Sequence, residues 1–353
     1  MNLLSILRYI TCAAALMAAD FAHADTNTKP LKHRLRLALQ LIETSPSQGY
    51  AALIELAALD HPKSVERLGY FTLKGVGTEA DLQAAIVLYS RATVLGHERA
   101  WLSLAKATML AGRAEEAIVA FQKAQSLGIK GAEASLLMAH ASHRLGPLSD
   151  AEAAWPELVR LAQTGDRTAE IAALYIAARY QRRIEPEGAI LSAQSTRAIE
   201  GDGKAAETLL RYYRMTPKHR LSQIPQRLRL LKHPNLSERA RIEEGLYMAL
   251  DRTPEQFWTA AEALVRQASP ADYPRALTTT ARINRNAYLR IVQKELARLG
   301  YQPGRTNGIL HRRTLKALMR FCRDQNIEVD CRLGPNKSTA IKSIAAALAD
   351  TRS

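Results

Sequence analysis

Small and apolar residues recur at helical spacing along the stretch 64–96, the most regular part of the chain. They lie three to four positions apart on both sides of a glycine pair, Gly75 and Gly77. This spacing predicts two amphipathic helices joined by a tight turn at the glycine pair, with Gly96 ending the second helix. Small side chains on the facing sides would let the two helices approach closely. The stretch therefore predicts a helical hairpin.

Weaker copies of this hairpin follow. Gly128, Gly165 and Gly201 each end an alanine- and leucine-rich stretch, at successive spacings of 32, 37 and 36 residues counted from Gly96. Such periods are typical of helical-hairpin repeats, which bury their apolar faces by stacking on their neighbours. The stretch 64–96 resembles a Sel-one-like repeat, a relative of the tetratricopeptide repeat. We expect an all-α, helical-hairpin repeat solenoid over residues 25–214.

The repeat pattern loosens after residue 214, where the chain is interrupted by Pro217, Pro225 and Pro234. Two helix starts are then well marked. Thr253-Pro254-Glu255-Gln256 fits a capping box with proline at the first helical position, and Ser269-Pro270 marks the second start. We expect residues 215–284 to be a helical connector that caps the solenoid.

The last quarter of the chain carries an ordered series of helix and turn signals. Helical spacing of Val292, Leu296 and Leu299 ends at Gly300, and Asn307-Gly308 suits the left-handed angles of a tight turn. A second helical pattern consists of Thr314, Ala317, Leu318 and Phe321. In this order the residues resemble the small helical peptidoglycan-binding domain of bacterial envelope proteins. The resemblance implies a small three-helix peptidoglycan-binding-like domain over residues 285–353.

The resemblance also implies that the turns of this domain border a ligand groove. The expected ligand is peptidoglycan or an acidic envelope polysaccharide, whose carboxylates arginine could pair with. An aromatic ring at Tyr301 suits either stacking on a sugar or closing the small core. The chain departs from the family pattern after the first turn, where Leu310-His311-Arg312 replaces an aromatic residue and Gly-Pro. The candidate glycan-binding residues are Tyr301, Asn307, Arg312, Arg313 and Thr314.

The first residues of the chain predict export. Arg8 supplies a positive charge, the following apolar stretch is too short to cross a bilayer, and Ala22-His23-Ala24 fits a signal-peptidase site. Residues 1–24 are therefore expected to be a signal peptide, with Asp25 as the first mature residue. Cys12 lacks the small-residue context of a lipoprotein. We expect a periplasmic protein without a transmembrane segment.

Loss of Cys12 with the signal peptide would leave two cysteines, Cys322 and Cys331. An even pair in an oxidising compartment, on either side of a turn of the domain, predicts a disulfide. Two buried free thiols are the first alternative. A metal site is the second, although no histidine pair lies nearby in the sequence.

Positive charge is concentrated towards the C-terminus. The formal net charge is +15, of which residues 282–353 contribute 15 − 5 = +10 and residues 211–252 contribute 10 − 4 = +6, which leaves −1 for the rest. A localised basic surface attracts polyanions, and in the expected compartment these are envelope polymers and anionic lipids rather than nucleic acid. The alternative is that these cations only solvate helix faces.

Signs of catalytic chemistry are sparse. The nine histidines are dispersed, and no His-Glu-x-x-His, Gly-x-Ser-x-Gly or phosphate-loop pattern occurs. His140 and His143 share a helix face without a carboxylate at ligand spacing, which favours a surface pair over a metal site. We therefore expect neither a metal nor another cofactor.

The pattern as a whole predicts a non-enzymatic scaffold that binds a protein partner through its repeats and the cell wall through its C-terminal domain. Periplasmic proteins with similar repeats include scaffolds of alginate-like exopolysaccharide export and regulators of sensor kinases. A cell-wall hydrolase, or an accessory subunit of one, is the competing class. The candidate partner-binding residues, Tyr70, Tyr89 and Trp101, also fit the core of the repeats.

Overall fold

The computed structural model describes residues 30–184, 187–216, 221–250 and 252–352, without the side chain of Glu187. The predicted signal peptide, its cleavage site, Cys12 and Pro217 lie outside these residues. The regular secondary structure of the described residues is helical, and they contain no strand. It divides into two compact units, which meet in sequence at Ala151 and Glu152.

The first unit is built from seven α-helices and one short 3₁₀ helix, Gly146–Leu148, among its described residues. The α-helices are α1 (Leu31–Thr44), α2 (Pro46–Ala58), α3 (Pro62–Lys74), α4 (Leu82–Val94), α5 (Ala100–Leu110), α6 (Ala114–Ser126) and α7 (Ala132–Ala141).

Consecutive helices of this unit form antiparallel-type hairpins, α1 with α2, α3 with α4 and α5 with α6, and α3 also contacts α5. Alanine at many of the buried positions allows this close packing, as at Ala85, Ala92 and Ala105. The turn at Gly77 lies so close to α2 that a Cβ atom there would be 2.2 Å from the carbonyl oxygen of Pro46. The hairpin predicted for residues 64–96 is therefore confirmed as α3 and α4.

The second unit carries twelve α-helices among its described residues, beginning with α8, whose first residue is the last of the first unit. They are α8 (Ala151–Gln163), α9 (Arg167–Tyr180), α10 (Glu187–Ile199), α11 (Gly203–Met215), α12 (Ile224–Leu231), α13 (Glu238–Ala249), α14 (Pro254–Gln267), α15 (Tyr273–Ile283), α16 (Arg285–Arg298), α17 (Arg312–Asp324), α18 (Glu328–Arg332) and α19 (Ser338–Asp350).

Each glycine of the repeat period lies just after the end of a helix: Gly96 after α4, Gly128 after α6, Gly165 after α8 and Gly201 after α10. All four have the left-handed backbone that glycine adopts readily, with φ angles of 85°, 65°, 86° and 97° for Gly96, Gly128, Gly165 and Gly201. Their positions confirm an all-α repeat architecture of helical hairpins. The boundaries predicted at residues 214 and 284 stay predictions.

Helix starts follow local capping chemistry. Thr253 and Gln256 form the predicted capping box of α14. Ser269 does not begin a helix directly, because its carbonyl oxygen accepts hydrogen bonds from the N–H groups of Asp272 and Tyr273 in a preceding turn. Helix α15 consequently starts at Tyr273, after the predicted position.

One apolar core runs through the second unit from Ile242 in α13 to Ala349 in α19. Helix α15 packs against both α16 and α19, so the C-terminal segment shares its core with the helices that precede it. A fragment cut at residue 285 would expose this shared surface, and binding experiments therefore need the whole chain.

Candidate functional site

The loop between α16 and α17 is fixed from below by Gln293, a fully buried side chain of α16. Its Oε1 accepts a hydrogen bond from the Gly308 N–H at 2.9 Å, and its Nε2 donates to the Ile309 carbonyl at 2.8 Å. The same nitrogen lies 3.1 Å from the Thr314 hydroxyl oxygen, to which it donates. This one amide group therefore connects Gly308 and Ile309 in the turn, and Thr314 in α17, to helix α16.

Gly308 is the residue that lets the turn approach α16. Its φ angle is +75°, and a Cβ atom there would lie 2.4 Å from the Asn286 carbonyl oxygen, so no larger side chain fits without movement. The preceding Asn307 is partly exposed, and its Oδ1 accepts from the Ile309 N–H at 3.2 Å. Its Nδ2 lies 3.4 Å from Nε2 of His311. The turn therefore presents Asn307 in a fixed orientation.

Thr314 belongs to the support of the loop. It is fully buried, and its hydroxyl donates to the Pro303 carbonyl at 2.9 Å while accepting from Gln293. A fully buried hydroxyl that already donates one hydrogen bond and accepts another is not accessible to a ligand. The structure therefore corrects the role expected of Thr314, which fastens the loop to α17 instead of lining a groove.

Tyr301 is partly buried at the edge of the same core. Its ring meets Phe321 edge to face with the centroids 5.7 Å apart, and its hydroxyl donates to Asp324 Oδ2 at 2.7 Å. The hydrogen bond to the Asp324 carboxylate raises the pKa of Tyr301, and burial adds to the effect. The ring thus packs against Phe321, which is one of the two roles expected for it, and the residue remains partly exposed.

Arg312 and Arg313 are exposed in the first turn of α17. A Cβ atom on Gly304 would lie 3.3 Å from Cβ of Arg313, so the loop passes directly over the stem of this arginine. Among the described residues neither guanidinium forms an ion pair with a carboxylate. The loop 303–308 and the start of α17 form one surface that carries Asn307 and three exposed cations, Arg305, Arg312 and Arg313.

Cys322 and Cys331 form the predicted disulfide, which joins α17 to the short helix α18. Both side chains are buried in the core of the second unit. The bridge therefore fixes the second turn of the domain from the inside.

The three aromatic residues proposed for partner binding lie in different environments. Tyr89 is 2% exposed and packs on Gly69, where a Cβ atom would be 3.0 Å from its ring, and burial raises the pKa of its hydroxyl. Tyr89 is thus a core residue. Tyr70 is 39% exposed and rests edge to face on Phe71. Trp101 is partly buried.

Trp101 lines an open groove of about 590 Å³ between α4, α5 and α6. Its apolar wall includes Val87 and Val119, which are 67% and 63% exposed. Its polar lining consists mainly of the carboxylates of Glu115 and Glu116 and the guanidinium of Arg113, which lies 3.6 Å from Glu116. Exposed apolar side chains gathered in a concave surface with a polar rim are typical of protein-binding sites.

Sequence reasoning missed Gln293 and the groove. A glutamine within a helical pattern reads as a solvent-facing residue, and only its tertiary partners reveal its role. No group of three or more histidine, cysteine, aspartate or glutamate side chains in the described ranges is placed to hold a metal ion. No described helix is long and apolar enough to cross a membrane.

Comparison with known proteins agrees with the sequence at the C-terminus. Residues 285–341 match the family model of a putative peptidoglycan binding domain, which confirms the resemblance there. A crystal structure of a protective antigen present in uropathogenic Escherichia coli strains, displaying an SLR fold, is similar to this chain at 13% identity and a TM-score of 0.36. That similarity covers 92% of this chain and 80% of the other. No curated protein matches the chain.

The match and the disulfide together favour an extracytoplasmic protein, because disulfides persist in oxidising compartments.

Proposed function

We propose that this protein is a non-enzymatic periplasmic scaffold that is exported by a cleaved signal peptide. Its C-terminal domain docks on peptidoglycan, and its repeats hold a protein partner. The family match over residues 285–341 supports the proposed docking on peptidoglycan. An acidic envelope polysaccharide is the alternative ligand of the same domain, which would give the scaffold a place in exopolysaccharide export.

The peptidoglycan site is the surface made by the loop 303–308 and the first turn of α17. Asn307 supplies an oriented amide, and Arg313 supplies a guanidinium for stem carboxylates. Gln293, Gly308 and Thr314 hold this surface in place without touching the ligand.

The double substitution Asn307→Ala and Arg313→Ala should lower the affinity for purified sacculi about tenfold or more, because it removes one neutral and one charge-assisted hydrogen bond. Pelleting of the whole protein is measured at about 0.3 M salt, where the screening length is about 6 Å and nonspecific attraction is weak. Arg332→Ala is the matched control, since Arg332 is exposed in the same domain and pairs with Glu328.

The melting temperature of the double variant should equal that of the parent. If wild-type pelleting disappears entirely at this salt concentration, the domain has only a general attraction for polyanions. Release of soluble fragments from the sacculi would instead support the wall-hydrolase alternative.

The partner site is the groove around Trp101. Apolar side chains of a partner segment would contact Trp101 and Val119, and a basic flank would face Glu115, since Glu116 is paired with Arg113.

A photo-crosslinking residue at Val119 should give one discrete protein adduct in envelope preparations. Trp101→Ala should remove most of this adduct, because buried aromatic anchors commonly contribute about 2 kcal/mol or more to binding. The control crosslinker replaces Val94, which is 84% exposed and outside the groove. The same adduct from both positions, or an adduct that survives Trp101→Ala, would place the partner elsewhere.

A further inference from the structure

Helix α17 carries its cations on one face. Positions 312, 316, 320 and 323 are separated by four, four and three residues, and together with 313 they span an arc of about 100°. This arc is opposite the buried side of the helix, and all five side chains are exposed. It extends about 16 Å along the helix axis. We name as the basic stripe Arg312, Arg313, Lys316, Arg320 and Arg323.

The stripe is not neutralised within the protein. Residues 302–323 contain six cations and no carboxylate, and no cation of the stripe forms an ion pair with a carboxylate of the described chain. The neighbouring helix α16 differs, because Arg290 and Lys294 pair with Glu262, and Arg298 pairs with Glu295. The cations of α17 are thus available to an external anion.

The free protein is strained electrostatically by this arrangement. Like charges four positions apart on a helix repel each other by a few tenths of a kcal/mol per pair. Arg312 and Arg313 also stand at the positive end of the helix dipole, where cations are unfavourable. An anionic surface that covers the stripe relieves both kinds of repulsion.

Apolar side chains beside the stripe indicate what that surface is. Leu315 lies on α17 one turn after Arg312 and is 40% exposed, and Ile309 just before the helix is 53% exposed. A soluble acidic polymer offers no contact for such side chains, whereas the boundary between headgroups and acyl chains of a bilayer does. A single convex helix face also suits a flat, extended partner better than a ligand that needs a groove.

We propose that the basic stripe is a peripheral docking surface for an anionic lipid bilayer, with Leu315 entering the headgroup region. This surface shares Arg312 and Arg313 with the proposed peptidoglycan site and extends beyond it to Lys316, Arg320 and Arg323. It would hold the scaffold against a membrane through charge and shallow insertion.

Vesicles of phosphatidylcholine with and without phosphatidylglycerol test the proposal. The purified full chain should bind only the vesicles that contain phosphatidylglycerol. Each basic residue near such a surface strengthens binding about fivefold, so the double substitution Lys316→Gln and Arg320→Gln should weaken it about 30-fold. Cosedimentation at low salt measures the effect.

The matched control is Lys337→Gln with Lys342→Gln, which removes the same charge from exposed positions off the stripe. It should change vesicle binding less than about threefold. Equal losses in the two double variants, or binding of neutral vesicles, would overturn the proposal.

Leu315→Ser separates a lipid surface from a soluble polyanion. It should weaken vesicle binding at least about threefold, because apolar contact is lost, and leave binding to polygalacturonate unchanged. If Leu315→Ser has no effect on vesicles and polygalacturonate binds as tightly as they do, the stripe serves a soluble polymer and the lipid proposal is wrong. Pelleting of the Lys316→Gln, Arg320→Gln variant with sacculi at higher salt reports separately on the peptidoglycan site.

Discussion

Replacing Glu244 with glutamine should lower the free energy of unfolding of the second unit by about 3 to 5 kcal/mol, the range found when one partner of a buried ion pair is removed. Glu244 is fully buried, and its two oxygens accept from Arg227 Nε at 2.6 Å and from Arg214 Nη1 at 2.8 Å. Arg227 itself is only 1% exposed. Whichever way the glutamine amide turns, its NH₂ group faces an arginine donor. Urea unfolding followed by circular dichroism measures the loss.

The neighbouring Glu243 provides the control. Its side chain is 21% exposed and lies 3.3 Å from Arg214 and 3.5 Å from Arg282, so water can replace these contacts. Glu243→Gln should therefore cost less than about 1 kcal/mol. Glu244→Leu combined with Arg227→Met should recover most of the stability, because the apolar pair needs no charge compensation and Arg214 keeps its contact with Glu243 at 3.3 Å. If Glu244→Gln lowers the free energy of unfolding no more than Glu243→Gln does, the buried ion pair of Glu244 with Arg227 does not stabilise the fold as predicted.

The sequence predicted those features whose causes are local. The capping box at Thr253 and the glycines that end the repeat helices depend on a few neighbouring residues, and each lies where the pattern indicated. The disulfide was predictable for a different reason. Only two cysteines remain once a signal peptide is removed, and they flank one turn.

Features that depend on distant parts of the chain could not be predicted in the same way. The pairing of Arg227 with Glu244 joins α12 to α13, and the roles of Gln293 and Thr314 follow from a loop that folds back on α16. Helical spacing alone does not show which polar side chain turns inward. Helical spacing also does not show which aromatic residue is buried. Tyr89, a candidate for partner binding, is instead packed on Gly69.

The basic stripe lies between these cases. Its residues and their spacing can be read from the sequence, and so can the excess of positive charge in the C-terminal third. The sequence does not show that three of the four cations of α16 are paired while those of α17 are not, because the pairs are made with carboxylates of α14 and α16. The structure is needed to separate a solvated helix face from an available binding surface.

Replacing Cys322 and Cys331 with alanine should lower the free energy of unfolding by about 2 to 3 kcal/mol, mainly because the unfolded chain regains the freedom of a loop closed by residues nine positions apart. The apolar core is continuous from α13 to α19, so the loss should lower the unfolding midpoint of these helices together instead of releasing the C-terminus alone. Urea unfolding followed by circular dichroism measures this shift.

A reducing agent supplies the matched control for the disulfide. Reduction should destabilise the parent protein by a similar amount and leave the double alanine variant unchanged, since the variant has no bridge to open. Both sulfur atoms are buried, so reduction should also be slow until the core opens, and the rate should rise in urea. Equal stability of the parent with and without reductant would show that the bridge does not constrain the unfolded chain. The domain would then depend on the packing of its helices, including that of α15 against α16 and α19.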